Sequence, residues 1–349
     1  MIQRRQFIVM GSVAAGYLIG VGPSRIWADD LNWRCSPIQT LTHSQNDRAP
    51  VVTGVCLSPD ESMIAVVGDD HLVSILDVVT KKFVRTLSAH RDWVRSVAFS
   101  PDGTQLATVG NDRFVFLWNT TTWADPFMLA QQPQAVTEVA YSPVAQQLAT
   151  VGFSNTLYIY DVATKQEIFQ LKCPCEDNRA VAFSKDGRHV AAGGRCGRIR
   201  VWDSATGTVA AEYQAHRQRI RSIQFTAAGK VLSCGDDQAV RLSDPLGTNE
   251  MIELPSQSAK LYHVSLLDDD TCATAGSDNQ IAIWKLSTRE QLGVLKGHTG
   301  TVSCLSSSPK LLISGSYDTQ IRIWHRQVDT VLKQERQTNF DPGWNSRIK

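Results

Sequence analysis

The chain has 349 residues, 42% hydrophobic and 20% charged, enough for a large core in one all-β domain or in two smaller ones. Its formal net charge is +1, so bulk charge makes no case for nucleic acid or an anionic membrane surface as a partner.

The first residues read MIQRRQFIVMGSVAAGYLIGVGPSRIWADD. Residues 1–28 hold Arg4, Arg5 and Arg25 and no acid, so without them the net charge is +1 − 3 = −2. The apolar run from Phe7 to Gly22 is short and glycine-rich for a membrane span, and Pro23 breaks it. Arg4-Arg5 followed by Phe7 resembles a twin-arginine export signal, with Gln3, Ile8 and Val9 departing from the usual pattern. The expectation is a signal peptide over 1–28, cleaved after about Ala28, in a bacterial-type cell. The mature chain is then periplasmic or secreted and has no integral span. The alternatives are an uncleaved membrane anchor and a buried first helix.

Further along, GNDRFVFLWN (110–119) places Asp112 six residues before Trp118, across a run that reads as a strand. The spacing recurs at Asp70–Leu76, Asp237–Ser243, Asp278–Trp284 and Asp318–Trp324, and Ser154–Tyr160 and Cys196–Trp202 keep the frame without the aspartate. The seven anchors step by 42, 42, 42, 41, 41 and 40 residues. A second marker, Ser58, Ser100, Ser142, Ser184 and Thr226, repeats every 42. A period near forty with four short strands per unit predicts an all-β, seven-bladed propeller.

HRDWVRSVAFSPDGTQLATVGNDRFVFLWN and GHTGTVSCLSSSPKLLISGSYDTQIRIWH resemble WD repeats over most of their length. The likeness covers residues 33–326 and leaves a polar tail over 327–349. It implies four antiparallel strands per blade and hydrogen-bonded sets of histidine, hydroxyl, aspartate and tryptophan. Two sets are complete: His90, Thr108, Asp112 and Trp118 in blade 2, and His298, Ser314, Asp318 and Trp324 in blade 7. Blade 5 keeps His216 and Asp237 with Ser243 for the indole, blade 6 keeps Asp278 and Trp284, and blade 1 has Leu76. The pairs look like catalytic Asp-His dyads, but they recur around the ring, whereas catalysis needs one site. The ring is expected to close through PIQTLTH (37–43) as the outer strand of blade 7, with Thr330–Gln334 as the rival.

Motifs for chemistry are few. There is no Gly-x-Ser-x-Gly elbow, phosphate loop, Cys-x-x-Cys-His or zinc-type histidine spacing, so neither a cofactor nor a metal is expected. Asp268, Asp269 and Asp270 read as a solvated turn. Cys56, Cys234, Cys272, Cys304 and Cys35 read as small buried apolar residues. Cys173 and Cys175 flank the place of the missing histidine of blade 4, and Cys196 stands at its aspartate position. The readings are a disulfide from Cys196 to Cys173 or to Cys175, three free thiols, or a copper(I) site.

Repeat register places Trp93, Arg95, Phe153, Arg179, Arg195, Arg219, Arg221, Lys260 and Tyr262 on the face where entering loops and aspartate turns meet. Arginine and aromatic side chains are the commonest anchors of binding. The expectation is a non-catalytic platform for a protein or peptide, acidic by charge complementarity. A hydrolase or lactonase using the central opening, a structural envelope component, and a plain solvated rim are the alternatives.

Overall fold

The computed structural model describes residues 33–36, 39–40, 49–248, 250–255 and 257–327. Seven antiparallel sheets are arranged in a ring, each with its first strand innermost. The inner strands are Val52–Leu57, Val94–Phe99, Val136–Tyr141, Asn178–Phe183, Ile220–Phe225, Leu261–Leu266 and Val302–Ser307. Each contacts the inner strand of the next blade, and the seventh contacts the first.

The second and third strands of each blade lie between neighbouring blades, so both faces are covered. Met63–Gly68, Gln105–Gly110 and Leu311–Ser316 are therefore buried along nearly their whole length and read as continuous apolar or small runs. The fourth strands face solvent and alternate weakly, as Val209–Gln214 does. The core is a series of clusters between adjacent sheets: Val67, Ile75 and Leu87 of blade 1 pack on Val97, Phe99 and Leu106 of blade 2. Glycine ends the second strand in six blades. At Gly110 a Cβ would stand 2.5 Å from the carbonyl oxygen of Trp93, so the entering loop packs directly on the backbone.

The N-terminal segment closes the ring. Trp33–Cys35 pairs antiparallel with Gln320–Arg326, Ser36 donates to the Ile323 carbonyl at 2.8 Å, and Gln39–Thr40 continues the edge. The strand expected from residue 37 thus starts four residues earlier, because Trp33 supplies the large apolar side chain that fills the seam between blades 6 and 7. Residues 41–43 and the rival at 330–334 lie outside the described residues, as do the expected signal peptide and the tail from residue 328. Cys35 is exposed on this strand and Cys56 is only half-buried on the channel wall, which corrects the reading of both as core residues.

Every inner strand carries a bulge at the same place. The ladder skips Thr53, Arg95, Thr137, Arg179, Arg221, Tyr262 and Ser303, one per blade. A bulged residue leaves the ladder and its side chain is re-aimed. In blades 1, 3 and 7 it is a short hydroxyl that bonds a backbone carbonyl of the next blade. Thr53 donates to Val94, Thr137 to Asn178 at 2.7 Å, and Ser303 to Val52 at 2.7 Å.

Trp33→Ala should lower unfolding free energy by about 3–5 kcal/mol, the usual loss for a buried indole. Arg34→Ala, on the exposed side of the same strand, should change it by less than about 0.5 kcal/mol. Urea denaturation of both variants measures this, and equal effects would mean that the segment does not hold the ring closed.

Candidate functional site

The hydrogen-bonded sets tie entering loops to turns on one face. In blade 2, His90 Nδ1 meets Asp112 at 2.9 Å, His90 Nε2 meets Thr108 Oγ1 at 2.9 Å, and Trp118 Nε1 donates to the same oxygen at 3.0 Å. Blade 7 repeats this with His298–Asp318 at 2.9 Å, His298–Ser314 at 2.8 Å and Trp324–Ser314 at 2.9 Å. Among the described residues, blade 6 shows the Trp284–Thr274 bond of the set, 3.1 Å. In blade 5, His216 bonds Asp237 at 2.8 Å and Ser233 at 2.9 Å, and buried Arg241 reaches the other Asp237 oxygen at 2.8 Å. Burial pushes the Asp237 carboxyl up, but its bonds from His216, Arg241 and the Arg217 N–H outweigh this and hold it far below the usual carboxylate range. Blade 3 uses Gln132, which stands 28 residues before Tyr160 as His90 stands before Trp118. Its amide donates to Thr150 at 2.6 Å and to the Tyr160 hydroxyl at 3.0 Å. The matched spacing was the signal that would have found it.

Blade 4 substitutes a covalent tie. Cys175 and Cys196 are joined as a disulfide, with Cα atoms 6.0 Å apart. Cys173, the other partner considered, is a buried free thiol packed with Leu157, Leu171 and Trp202.

Four bulged residues, Arg95, Arg179, Arg221 and Tyr262, line a pocket of about 140 Å³ at the channel mouth, with Tyr317, Thr53, Thr137 and Ser303. A cavity of about 350 Å³ continues below it. Each guanidinium lies over an aromatic ring: Arg95 on Trp93 at 4.8 Å, Arg179 on Phe153 at 4.4 Å and Arg221 on Tyr262 at 4.8 Å. Two aspartates outside the expected binding set organise the arc. Asp177 binds Arg179 at 2.5 Å and Arg219 at 2.7 Å, and Asp236 binds Arg221 at 2.7 Å and Arg219 at 3.6 Å. Asp177 does so from a left-handed backbone, φ 57°, which aspartate tolerates better than most residues. Arg195 and Lys260 are exposed and do not line the pocket.

Glu138 and His263, from blades 3 and 6, line both the mouth pocket and the cavity below it. Ser96 donates to Glu138 at 3.0 Å, and His263 Nδ1 is buried without a hydrogen-bond partner. Desolvation raises the Glu138 carboxyl to about 8 and lowers the His263 imidazole to about 4. Sequence register never singled them out, because equivalent positions in other blades carry Gly54, Ser96, Ala180, Ser222 and Cys304. Of the three turn aspartates, Asp268 pairs with Arg326 at 2.8 Å and Asp270 binds Ser287 at 2.7 Å. Among the described residues, no His, Cys, Asp or Glu group is arranged to hold a metal ion, and no helix is long and apolar enough to cross a membrane.

A family model described as the IFT122 first beta-propeller matches residues 51–288, and a WD domain, G-beta repeat model matches 289–325. Mitochondrial division protein 1 of Schizosaccharomyces pombe is 38% identical over 63 residues, 18% of this chain and 10% of that protein. A WD repeat-containing protein WDS homolog of Arabidopsis thaliana is 44% identical over 61 residues, 17% of this chain and 12% of that protein. A CCR4-associated factor 4 homolog of Candida glabrata is 29% identical over 113 residues, 32% of this chain and 16% of that protein. The matches thus span about a tenth to a sixth of these relatives' own lengths.

Glu138 should make stability depend on pH. Its carboxyl keeps a proton to about pH 8 in the fold, whereas a free glutamic acid loses it near pH 4.3. The unfolded chain therefore binds fewer protons between these values, and stability falls as pH rises through that window. Between about pH 5 and 8.5 the wild type should lose about 4 kcal/mol more than Glu138→Gln. Parallel pH dependences in urea unfolding would show that Glu138 ionises normally.

Proposed function

The chain belongs to the WD-repeat β-propeller family, and from that premise we propose that it is a non-catalytic platform that binds a protein or peptide at the channel mouth. The observation that carries this reading is the convergence of Arg95, Arg179, Arg221, Tyr262 and Tyr317 on one small pocket, each arginine seated on an aromatic face. Such groups present large, preorganised contact area at low entropic cost. Glu138 and His263 are the pair a catalytic reading would use. Among the described residues neither bonds the other, and the Glu138 bond goes to Ser96. The Asp-His pairs of the sets are buried in the walls, and each histidine spends its second ring nitrogen on a hydroxyl, which suits a structural role.

We also propose that the chain is exported. The basic tip, the apolar run and the small residue at Ala28 support this, and the Cys175–Cys196 pairing suits an oxidising compartment. The relatives named above are eukaryotic and say nothing about export.

Two measurements test these readings. A tagged mature protein should retrieve a partner from its source cells, and Arg221→Ala with Tyr262→Ala should weaken that binding at least about tenfold. Equal retrieval by the double variant would move the site elsewhere. The intact mass from the native cell fraction should match a start near Asp29. Alkylation under denaturation should block six of the eight cysteines before reduction and all eight after it. A full-length mass with eight reactive thiols would sink export and the disulfide together.

A further inference from the structure

The bulge position has two kinds of occupant, and the difference is chemical. Thr53, Thr137 and Ser303 spend their hydroxyls on carbonyl groups of the next blade, stapling one sheet to another. Arg95, Arg179, Arg221 and Tyr262 forgo that staple and face the mouth. Three of these four answer to nearby groups on the protein itself. Arg179 and Arg221 are neutralised by Asp177 and Asp236, and Tyr262 lies under Arg221. Arg95 is different. Its Nε donates to the neutral amide oxygen of Asn111 at 2.7 Å, and its guanidinium lies on Trp93. Among the described residues, no carboxylate lies within ion-pairing distance of it.

A cation in such a place is held at a cost. Burial disfavours its charge and the neighbouring Arg179 disfavours it further, which together outweigh the smaller support from Tyr317 and Asp92. An anion bound at the mouth relieves both effects, and a guanidinium fork matches a carboxylate with two parallel hydrogen bonds. The space is small. About 140 Å³ is the room of four or five waters at about 30 Å³ each, enough for one carboxylate and a short stem. The hydroxyls of Thr53, Thr137 and Ser303 are already committed to backbone, so the donors left to an anion are the guanidinium groups and the Tyr262 and Tyr317 hydroxyls, with Glu138 on the same wall kept protonated by its burial and bonded by Ser96.

We propose that the channel mouth is a subsite for a single carboxylate, carried on an acidic side chain of the bound peptide, with Arg95 as the residue that reads it. The proposal rests on the peptide-binding reading above and adds the chemistry of one position in the ligand. Lys260 and Arg195, exposed outside the pocket, do not make this contact.

The test is selection from a random linear peptide library displayed on phage, against the wild-type propeller and against Arg95→Thr. Threonine is the residue that blades 1 and 3 carry at this place, so the variant regains a staple and should melt at the wild-type temperature or above. Arg95→Met is the second variant, keeping an apolar stem over Trp93 without the charge. Peptides selected on the wild type should share an Asp or Glu at one fixed position. They should bind either variant at least tenfold more weakly, and Arg95→Lys should be intermediate. Sodium glutarate should elute them, and glutaramide should not. Selected peptides with no shared acid, undiminished binding by the variants, or equal elution by the two solutes would overturn the carboxylate subsite and leave the peptide platform standing. A wild-type selection that yields no binder would overturn both.

Discussion

A propeller's inner strands must bend where they enter the ring, and here all seven do so through the same one-residue bulge. That irregularity sets up the rest. It breaks the ladder between the first and second strands at one level around the channel, so seven side chains are released from pairing at the same height. A residue freed in this way has two uses. It can bond the neighbouring blade, since backbone carbonyls are within reach, or it can face the opening. Three blades take the first course and four the second. The ring is therefore held at the mouth by hydroxyl staples on one set of blades and carries its charged and aromatic groups on the other. Because the groups stand on strands rather than on loops, their positions are fixed by the sheet.

The second constraint is the tie between each entering loop and the turn that follows the second strand. The histidine-hydroxyl-aspartate-indole chain is one solution, complete in blades 2 and 7. Blade 5 trades the indole for a guanidinium, Arg241, that reaches the same aspartate from the third strand. Blade 3 trades the imidazole for the Gln132 amide and the indole for the Tyr160 phenol. Blade 4 abandons hydrogen bonding there for the Cys175–Cys196 bridge, which closes 21 residues of sequence. The replacements differ in chemistry, and each anchors the entering loop to its own blade, at the turn in blades 4 and 5 and at the second and third strands in blade 3. The histidine rings, the aspartates they meet and the Gln132 amide are all hydrogen-bonded within these ties. Their variety explains why a repeat with so few invariant residues still closes with constant geometry.

How much of this was legible from sequence follows from the range of each interaction. Contacts within one blade recur at a fixed spacing, so the period, the two complete sets and the bulge residues Arg95, Arg179, Arg221 and Tyr262 could be read directly. Contacts between blades have no such marker. Asp177 and Arg219 are 42 residues apart and meet only because adjacent blades stand side by side at one level. Among the described residues it is the one ion pair of the arc that crosses blades, since Arg179 and Arg221 find their carboxylates in their own blades, two and fifteen residues away. Glu138 was missed for the same reason, since its environment is made by Ser96 of blade 2 and by the opposite wall. Cys173 and Cys175 could not be separated by spacing. The strand Gln166–Lys172 ends just before them, and Cys173 turns into the seam beside Trp202, leaving Cys175 to face Cys196.

The charge at the mouth now has a definite form. Arg95, Arg179, Arg219 and Arg221 carry four positive charges there, and Asp177 and Asp236 return two, leaving 4 − 2 = +2. The whole chain sums to +1, so the local excess is a feature of this opening and not of the surface at large. The two aspartates do more than reduce the charge. They fix three guanidinium groups as a rigid arc across blades 4 and 5, with their positions decided before any ligand arrives. Arg95 completes the ring from blade 2, oriented by an amide and an indole that hold its plane without cancelling its charge. Neutralised arginines set shape and present hydrogen-bond donors, whereas an unneutralised one supplies attraction. Dividing those tasks lets the mouth discriminate by geometry while leaving Arg95 without an ion-pair partner among the described residues, at a level where the field of a narrow, poorly solvated channel is screened least.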